Sequence, residues 1–352
     1  MVGASPMPKK VVSLGDIAEA AGVTRMTVSL ALRNQPGRVS EEVRKRILAV
    51  AKELGYRPDA RITSWMSQVR ASKSREPIPI GWVNADPDED AYHRKKELIP
   101  FFEGAQKRCD ELGFRLVDEF WLRAPGMTGP RMSQILYSRG IQGLIVTAFD
   151  KIFRIRLDWE NFAMASFDNS LVAPRLHQAS QDYHYNMMLV MKHLRRFGYR
   201  RVGVFLSAWT EARSYHACAG AVSYFQQQIP EEERVPMLLQ DNPREPGPEF
   251  GPWLWKYRPD VVVAQHSELV NWLNKEGYNV PHDIGAVHMA LEDDCADWAG
   301  VWARKREIGA ATAELVIAQL HNNSFGIPET PQDVRIAGRW HHGKTLLTPK
   351  PC

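Results

Sequence analysis

The 352-residue sequence has no run of about 18 apolar residues, the length a membrane-crossing helix needs, so no span is expected. Its opening run MVGASPMPKK has no apolar stretch of the signal-peptide kind, and the expectation is a cytoplasmic protein. Cysteine is scarce. Cys109, Cys218, Cys295 and Cys352 show no C-x-x-C spacing, which argues against a disulfide framework and against a zinc site. Also missing are G-x-S-x-G, H-E-x-x-H, a Gly-rich phosphate loop and a G-x-G-x-x-G after a strand. His266 and His288 end apolar runs and His341 and His342 are adjacent, but no spacing favours a metal over ordinary polar roles. No enzyme, no metal and no cofactor is therefore expected.

What is present is an ordinary globular composition, 44% hydrophobic and 24% charged, in a chain long enough for two or three domains. Charge is distributed unevenly along it. Residues 1–76 carry 14 Lys or Arg against 7 Asp or Glu, whereas the remainder carries 31 against 34. A basic segment attached to a near-neutral body fits a nucleic-acid-binding module, although a solvated basic tail has the same charge.

The patterning within that segment is helical. Ser13, with Asp16 three residues on, has the form of a capping box, and Ile17, Ala18 and Ala21 make an apolar stripe behind it. Gly22 allows a left-handed turn. Thr24 caps a second helix with Val28, Ala31 and Leu32 inward, and Ser40 opens a third through Ile47, Val50 and Leu54 to Gly55. Two helices joined by a Gly-containing turn are the helix-turn-helix geometry, whose second helix enters the major groove. Thr24, Arg25 and Met26 then stand at the tip that meets base edges, and Thr27 and Ser29 supply short hydroxyls for phosphates. A plain helical hairpin with a solvated face is the competing reading.

Residues 57–77 are basic and polar between Pro58 and Pro77, a linker with room for one short helix. Strands are expected at 78–84, 114–120, 142–147, 162–167, 201–206, 260–265 and 284–289. Helices fall between them near 99–112, 130–139, 182–197, 211–228, 267–276 and 305–322. Such alternation implies parallel sheets covered on both faces, and a break near DNSLVAPRLHQAS divides them into two lobes. QDNPREPGPEFGP reads as a surface loop.

The runs VSLGDIAEAAGVTRMTVSLALRN and VSEEVRKRILAVAKELGYRPDA resemble the headpiece of the LacI/GalR family of bacterial transcription regulators. RFGYRRVGVF, GYNVPHDIGAVHM, AGVWARKREIGAATAELVIAQL and VRIAGRWHHGKTL resemble that family's effector-binding core in order and spacing. The resemblance implies an N-terminal all-α helix-turn-helix headpiece (1–57), a hinge helix or linker (58–77) and an α/β core (78–352) of two lobes resembling type I periplasmic sugar-binding proteins. It further implies a homodimeric repressor on near-palindromic operator DNA, responding to a small effector of the carbohydrate kind, with no membrane partner.

By the same resemblance Arg25 and Met26 occupy the two variable base-reading positions. Arg33, Arg38, Arg44 and Lys45 serve as backbone contacts. The hinge residue wedged into the minor groove, usually Leu in the family, aligns with Trp65, with Met66 beside it. A position commonly Arg is Leu30 here. Asn84, Asp86, Asp168, His266, His288 and Trp302 align roughly with effector contacts. The sequence departs from the sugar-sensing pattern at Ala217, where an Arg is common three residues before Gly220, and Arg213 lies one turn earlier. It departs again at QHS, where an Asn-Asp pair is usual. A solute-binding protein with no genetic role is the alternative, opposed by the basic headpiece.

Overall fold

The computed structural model describes residues 12–32, 39–56, 77–147, 156–169, 171, 173–241, 245–291 and 295–347. Arg33, Arg38, Trp65, Met66 and the expected hinge up to residue 76 lie outside the described residues.

Three helices come first: α1 (Leu14–Ala21), α2 (Arg25–Leu32) and α3 (Glu41–Glu53). The capping box at α1 is complete. Asp16 N donates to Ser13 Oγ at 3.3 Å and Ser13 N donates to Asp16 Oδ2 at 2.7 Å, pairing two amides that a helix start otherwise leaves open. Gly22 ends α1 at φ 66°, a left-handed conformation that disfavours any side chain. Ile17, Val28 and Ile47, one from each helix, are fully buried, and Ala18, Ala21, Ala31 and Ala51 fill the spaces between them. Leu54, expected inside, is 39% exposed.

Two six-stranded sheets follow, each with helices on both faces. The first lobe contains β1 (Ile78–Asn84), β2 (Phe114–Trp121), β3 (Gly143–Thr147), β4 (Ala163–Phe167) and β5 (His177–Gln181). With them run α4 (Ala91–Arg94), α5 (Ile99–Glu111) and α6 (Gly129–Ser138). The chain then crosses into the second lobe. Its strands are β6 (Val202–Ser207), β7 (Leu238–Gln240), β8 (Val261–Ala264), β9 (Gly285–Leu291) and β10 (Ala299–Trp302). Its helices are α7 (Tyr183–Arg196), α8 (Ala208–Arg213), α9 (Ala217–Gln227), α10 (Phe250–Tyr257) and α11 (Leu269–Lys275).

A second crossing brings α12 (Lys305–Asn322) and β11 (Asp333–Ile336) back to the first lobe, and a third places β12 (Arg339–His341) in the second. The strand orders are β11-β5-β4-β3-β1-β2 and β12-β10-β9-β8-β6-β7. Among the described pairings only β12 against β10 is antiparallel. Buried on both faces, the central strands are continuous apolar runs, GLIVT in β3 and VVVA in β8.

Helices α5 and α12 cover one face of the first sheet and cross at backbone contact. A Cβ on Gly104 would fall 1.9 Å from the Arg306 carbonyl oxygen, and one on Gly309 would fall 2.0 Å from that of Phe101. Beside this crossing lies an aromatic core, with Phe101 stacked on Phe167 at 4.6 Å and Trp82 edge-on to Tyr92 at 4.9 Å.

Several expectations need correction. The helix expected over 211–228 is broken at Tyr215 and His216, which take φ 56° and 57°. The run read as a surface loop contains the start of α10, anchored by buried Phe250, Trp253 and Leu254. The break read near DNSLVAPRLHQAS comes too early, because β5 still belongs to the first sheet and the crossing follows it.

Candidate functional site

Two surfaces carry the chemistry. The first is the exposed start of α2. Thr24 Oγ1 accepts from Thr27 N at 3.1 Å and lies 2.9 Å from Thr27 Oγ1, so these hydroxyls cap the helix. Arg25 and Met26 are the exposed residues of the first turn, Met26 at 73%. The Arg25 guanidinium lies over Gly15, where a Cβ would meet its Nη2 at 2.8 Å. Thr27 and Ser29 are half-buried. Lys45 and Arg46 are exposed on α3, and Arg44 lies 3.5 Å from Glu41.

The second surface is a cavity of about 470 Å³ between the lobes, beyond the carboxyl ends of strands from both sheets, where ligands of open α/β sheets settle. Asp168, immediately after β4, is its most constrained member. It adopts φ 49°, accepts the Tyr183 hydroxyl at 2.8 Å and lies 3.5 Å from Arg213 Nη2. Tyr183 starts α7 in the other lobe, so this bond ties the two lobes together. Burial, reinforced by the Asp168 charge, holds the Tyr183 phenol well above its usual range, and it remains a neutral donor. Arg213 sits 4.6 Å over the Trp209 ring, which fixes its fork toward Asp168.

His266 lines the same cavity at the end of β8. Burial pushes its pKa down to about 4, and its buried Nε2 has no hydrogen-bond partner among the described residues. His288 Nδ1 accepts from Ala290 N at 3.0 Å, and its ring meets Trp298 edge-on at 5.8 Å. Gln181, Thr210, Gln265, Ser267, Lys96, Glu97 and Lys305 also line it.

The structure thus brings Asp168, Arg213, His266 and His288 together and separates three other expected residues from them. Asn84 is committed to its own loop, donating from Nδ2 to the Asp88 and Glu89 carbonyls and accepting Asp86 N. Asp86 is held 2.6 Å from Lys95 Nζ and lines no part of the cavity among the described residues. Trp302 faces a neighbouring cavity of about 730 Å³, between α5 and the start of α12. Its wall shares Lys96 and Lys305 with the first. Sequence reasoning missed Tyr183, Gln181 and Lys305. The only signal for Tyr183 was its place beside Asp182 at the start of a helix at the lobe crossing.

Among the described residues no group of His, Cys, Asp and Glu is arranged to hold a metal, and no helix is long and apolar enough to cross a membrane.

Residues 13–59 match the family model for bacterial regulatory proteins, lacI family. Over that segment the chain is similar to the bacterial regulatory proteins of the lacI family. An HTH-type transcriptional regulator of Mycobacterium tuberculosis is 34% identical over 31% of this chain and 28% of its own length. The sucrose operon repressor of Klebsiella pneumoniae is 31% identical over 40% of this chain and 39% of its own. The chain therefore spans about a quarter to two-fifths of these relatives.

Likeness of fold extends much further. The transcriptional regulator CelR in complex with cellobiose superposes with a TM-score of 0.56 at 16% identity, covering 95% of this chain and 99% of that one. The lac repressor dimer bound to operator and an anti-inducer gives 0.54 at 18%, covering 96% and 100%. The fold is thus a helix-turn-helix headpiece followed by a two-lobed core of the type I periplasmic-binding kind.

Proposed function

We propose that this chain is a sequence-specific DNA-binding transcription regulator, a repressor, whose operator affinity is set by a small polar ligand held between the lobes. The observation that carries the reading is the exposed Arg25–Met26 pair at the first turn of α2, the place from which a helix-turn-helix reads base edges. The proposed divisions are a headpiece over 1–57, a hinge over 58–77 and a sensing core over 78–352. The chain acts in the cytoplasm as a homodimer on a near-palindromic operator, and the core senses rather than catalyses. Ligand binding changes how the lobes close across the three crossings, and that change lowers operator affinity.

Selection of bound sequences from a randomised duplex pool, followed by electrophoretic shift of the full chain, tests this. The expected site is a palindrome. Arg25→Ala should lose about 1–3 kcal/mol of discrimination at one base pair per half-site, the worth of a bidentate contact to guanine. Equal weakening on every sequence would reassign Arg25 to the phosphates, and absence of any enriched sequence would overturn the reading.

A further inference from the structure

Resting on the reading of α2 as the helix that meets base edges, we propose that Gly15 is a specificity-determining positioning residue that acts through Arg25. By lacking a side chain it gives the Arg25 guanidinium a seat on the first turn of α1. The seat fixes the orientation of the guanidinium before DNA arrives.

Glycine is a costly choice at this place. Gly15 is the second residue of α1, between the capping Ser13 and Asp16, and glycine is the poorest helix former after proline. Two reasons that commonly require it do not apply. Gly22 and Gly55 take positive φ, whereas Gly15 keeps an ordinary helical backbone. Gly104 and Gly309 lie against backbone carbonyls, whereas the three atoms nearest to a Cβ on Gly15 all belong to Arg25. They are Nη2 at 2.8 Å, Nε at 3.0 Å and Cζ at 3.2 Å. What the missing side chain makes room for is therefore the plane of a guanidinium. A local preference broken in this way is the pattern expected where a residue serves function.

The consequence is orientation. A guanidinium lying on a bare Cα uses none of its five N–H donors in that contact, and Arg25 stays exposed at the start of α2. An arginine on a helix surface otherwise samples many rotamers, and ordering it on binding weakens association. A planar group resting on one seat has already lost part of that freedom. The rigid fork then suits a base edge with two acceptors at matching spacing, guanine O6 and N7, and meets other edges poorly because it does not turn to follow them.

Wild type, Gly15→Ala, Arg25→Ala and the double variant, each as the full chain, are titrated by fluorescence anisotropy. The duplexes are the one recovered from the randomised pool and a set with each base pair of the half-site changed in turn. The clash is with the far end of a flexible side chain, so alanine displaces the guanidinium and leaves the helices in place, and the melting temperature should hold or rise. Preference at the base pair that Arg25 reads should fall about three- to tenfold per half-site, the worth of ordering one long side chain in advance. Preference at the other base pairs should stay as it is. Gly15→Ser also carries a Cβ and should match Gly15→Ala, and in the Arg25→Ala background Gly15→Ala should change nothing. A preference at that base pair reduced by less than threefold, or an equal loss on every duplex, would overturn the seat while leaving Arg25 as the base reader. The same holds for an effect of Gly15→Ala that persists without Arg25, or for a fall in melting temperature that the double variant shares. Arg25→Ala without effect at any base pair would overturn the base-reading itself, and the seat with it.

Discussion

Asp168 links the lobes through the Tyr183 hydroxyl and Arg213. Asp168→Ala removes the acceptor from a buried phenol and the counter-charge from a guanidinium. A buried donor left unmade costs about 1–3 kcal/mol. The melting temperature should fall, and the ligand dose needed to release operator DNA should rise. Asp168→Asn keeps an acceptor and tolerates the left-handed backbone, so its melting temperature should fall less. An unchanged dose response in both variants would remove Asp168 from the site. His266 makes a pH prediction of definite sign. Its folded pKa of about 4 lies below the ordinary 6.5, so the unfolded chain takes up the proton first as pH falls. Stability from this residue is complete above pH 6.5, is lost between 6.5 and about 4, and reaches at most about 3 kcal/mol. His177 and His193 shift the same way through burial. The difference between wild type and His266→Gln in urea unfolding, followed from pH 7.5 to 4.5, isolates His266. Parallel curves would show that its ring is solvated.

At the scale of elements, the α5–α12 crossing is a joint at backbone contact in the first lobe, and it lies beside both cavities. Gly104→Ala drives a methyl group into the Arg306 carbonyl, which is backbone and cannot rotate away. Separating the helices is expected to cost about 1–3 kcal/mol, the usual range for overpacking, and to displace Lys305. Thermal unfolding should shift down; an unchanged melting temperature would mean that the two helices part without cost. How far such elements are legible in sequence depends on whether their signal is local. Ser13 with Asp16, Ser40, Gly22 and the runs GLIVT and VVVA are local, and each predicted its element. The strand His177–Gln181 was not legible, because HQASQ is polar in composition and buried only through its sheet neighbours. The break at Tyr215 and His216 carries no Gly or Pro to announce it. At the site, Asp168, Arg213, His266 and His288 were readable as strand ends or by resemblance. Asn84 and Trp302 were misplaced because a strand end fixes where a residue stands, not where its side chain turns. Lys305 depends on a helix folding back across 200 positions of sequence, which no local pattern encodes.

Over the whole molecule, charge and architecture divide the labour. Residues 1–76 have a surplus of seven positive charges, while the rest of the chain has three more acids than bases. On the proposed function, the long-range attraction to DNA should then come mainly through the basic segment rather than the core. Such affinity is dominated by release of counterions, with log K falling against log salt at about 0.9 per phosphate contacted. A dimer seating two headpieces, each with exposed lysine and arginine on α3 and more basic residues in the linker, should contact roughly six to ten phosphates. Between about 50 and 200 mM KCl its operator affinity should then fall by about 10³ to 10⁵. Fluorescence anisotropy of a labelled operator, titrated with the full chain across that range, gives the slope directly. A slope steeper than about −5, together with loss of about one unit for each exposed α3 cation replaced by alanine, is the expected result. A slope near zero would mean that the basic segment does not lie on the phosphates, and the division between a DNA-reading end and a sensing body would fail with it.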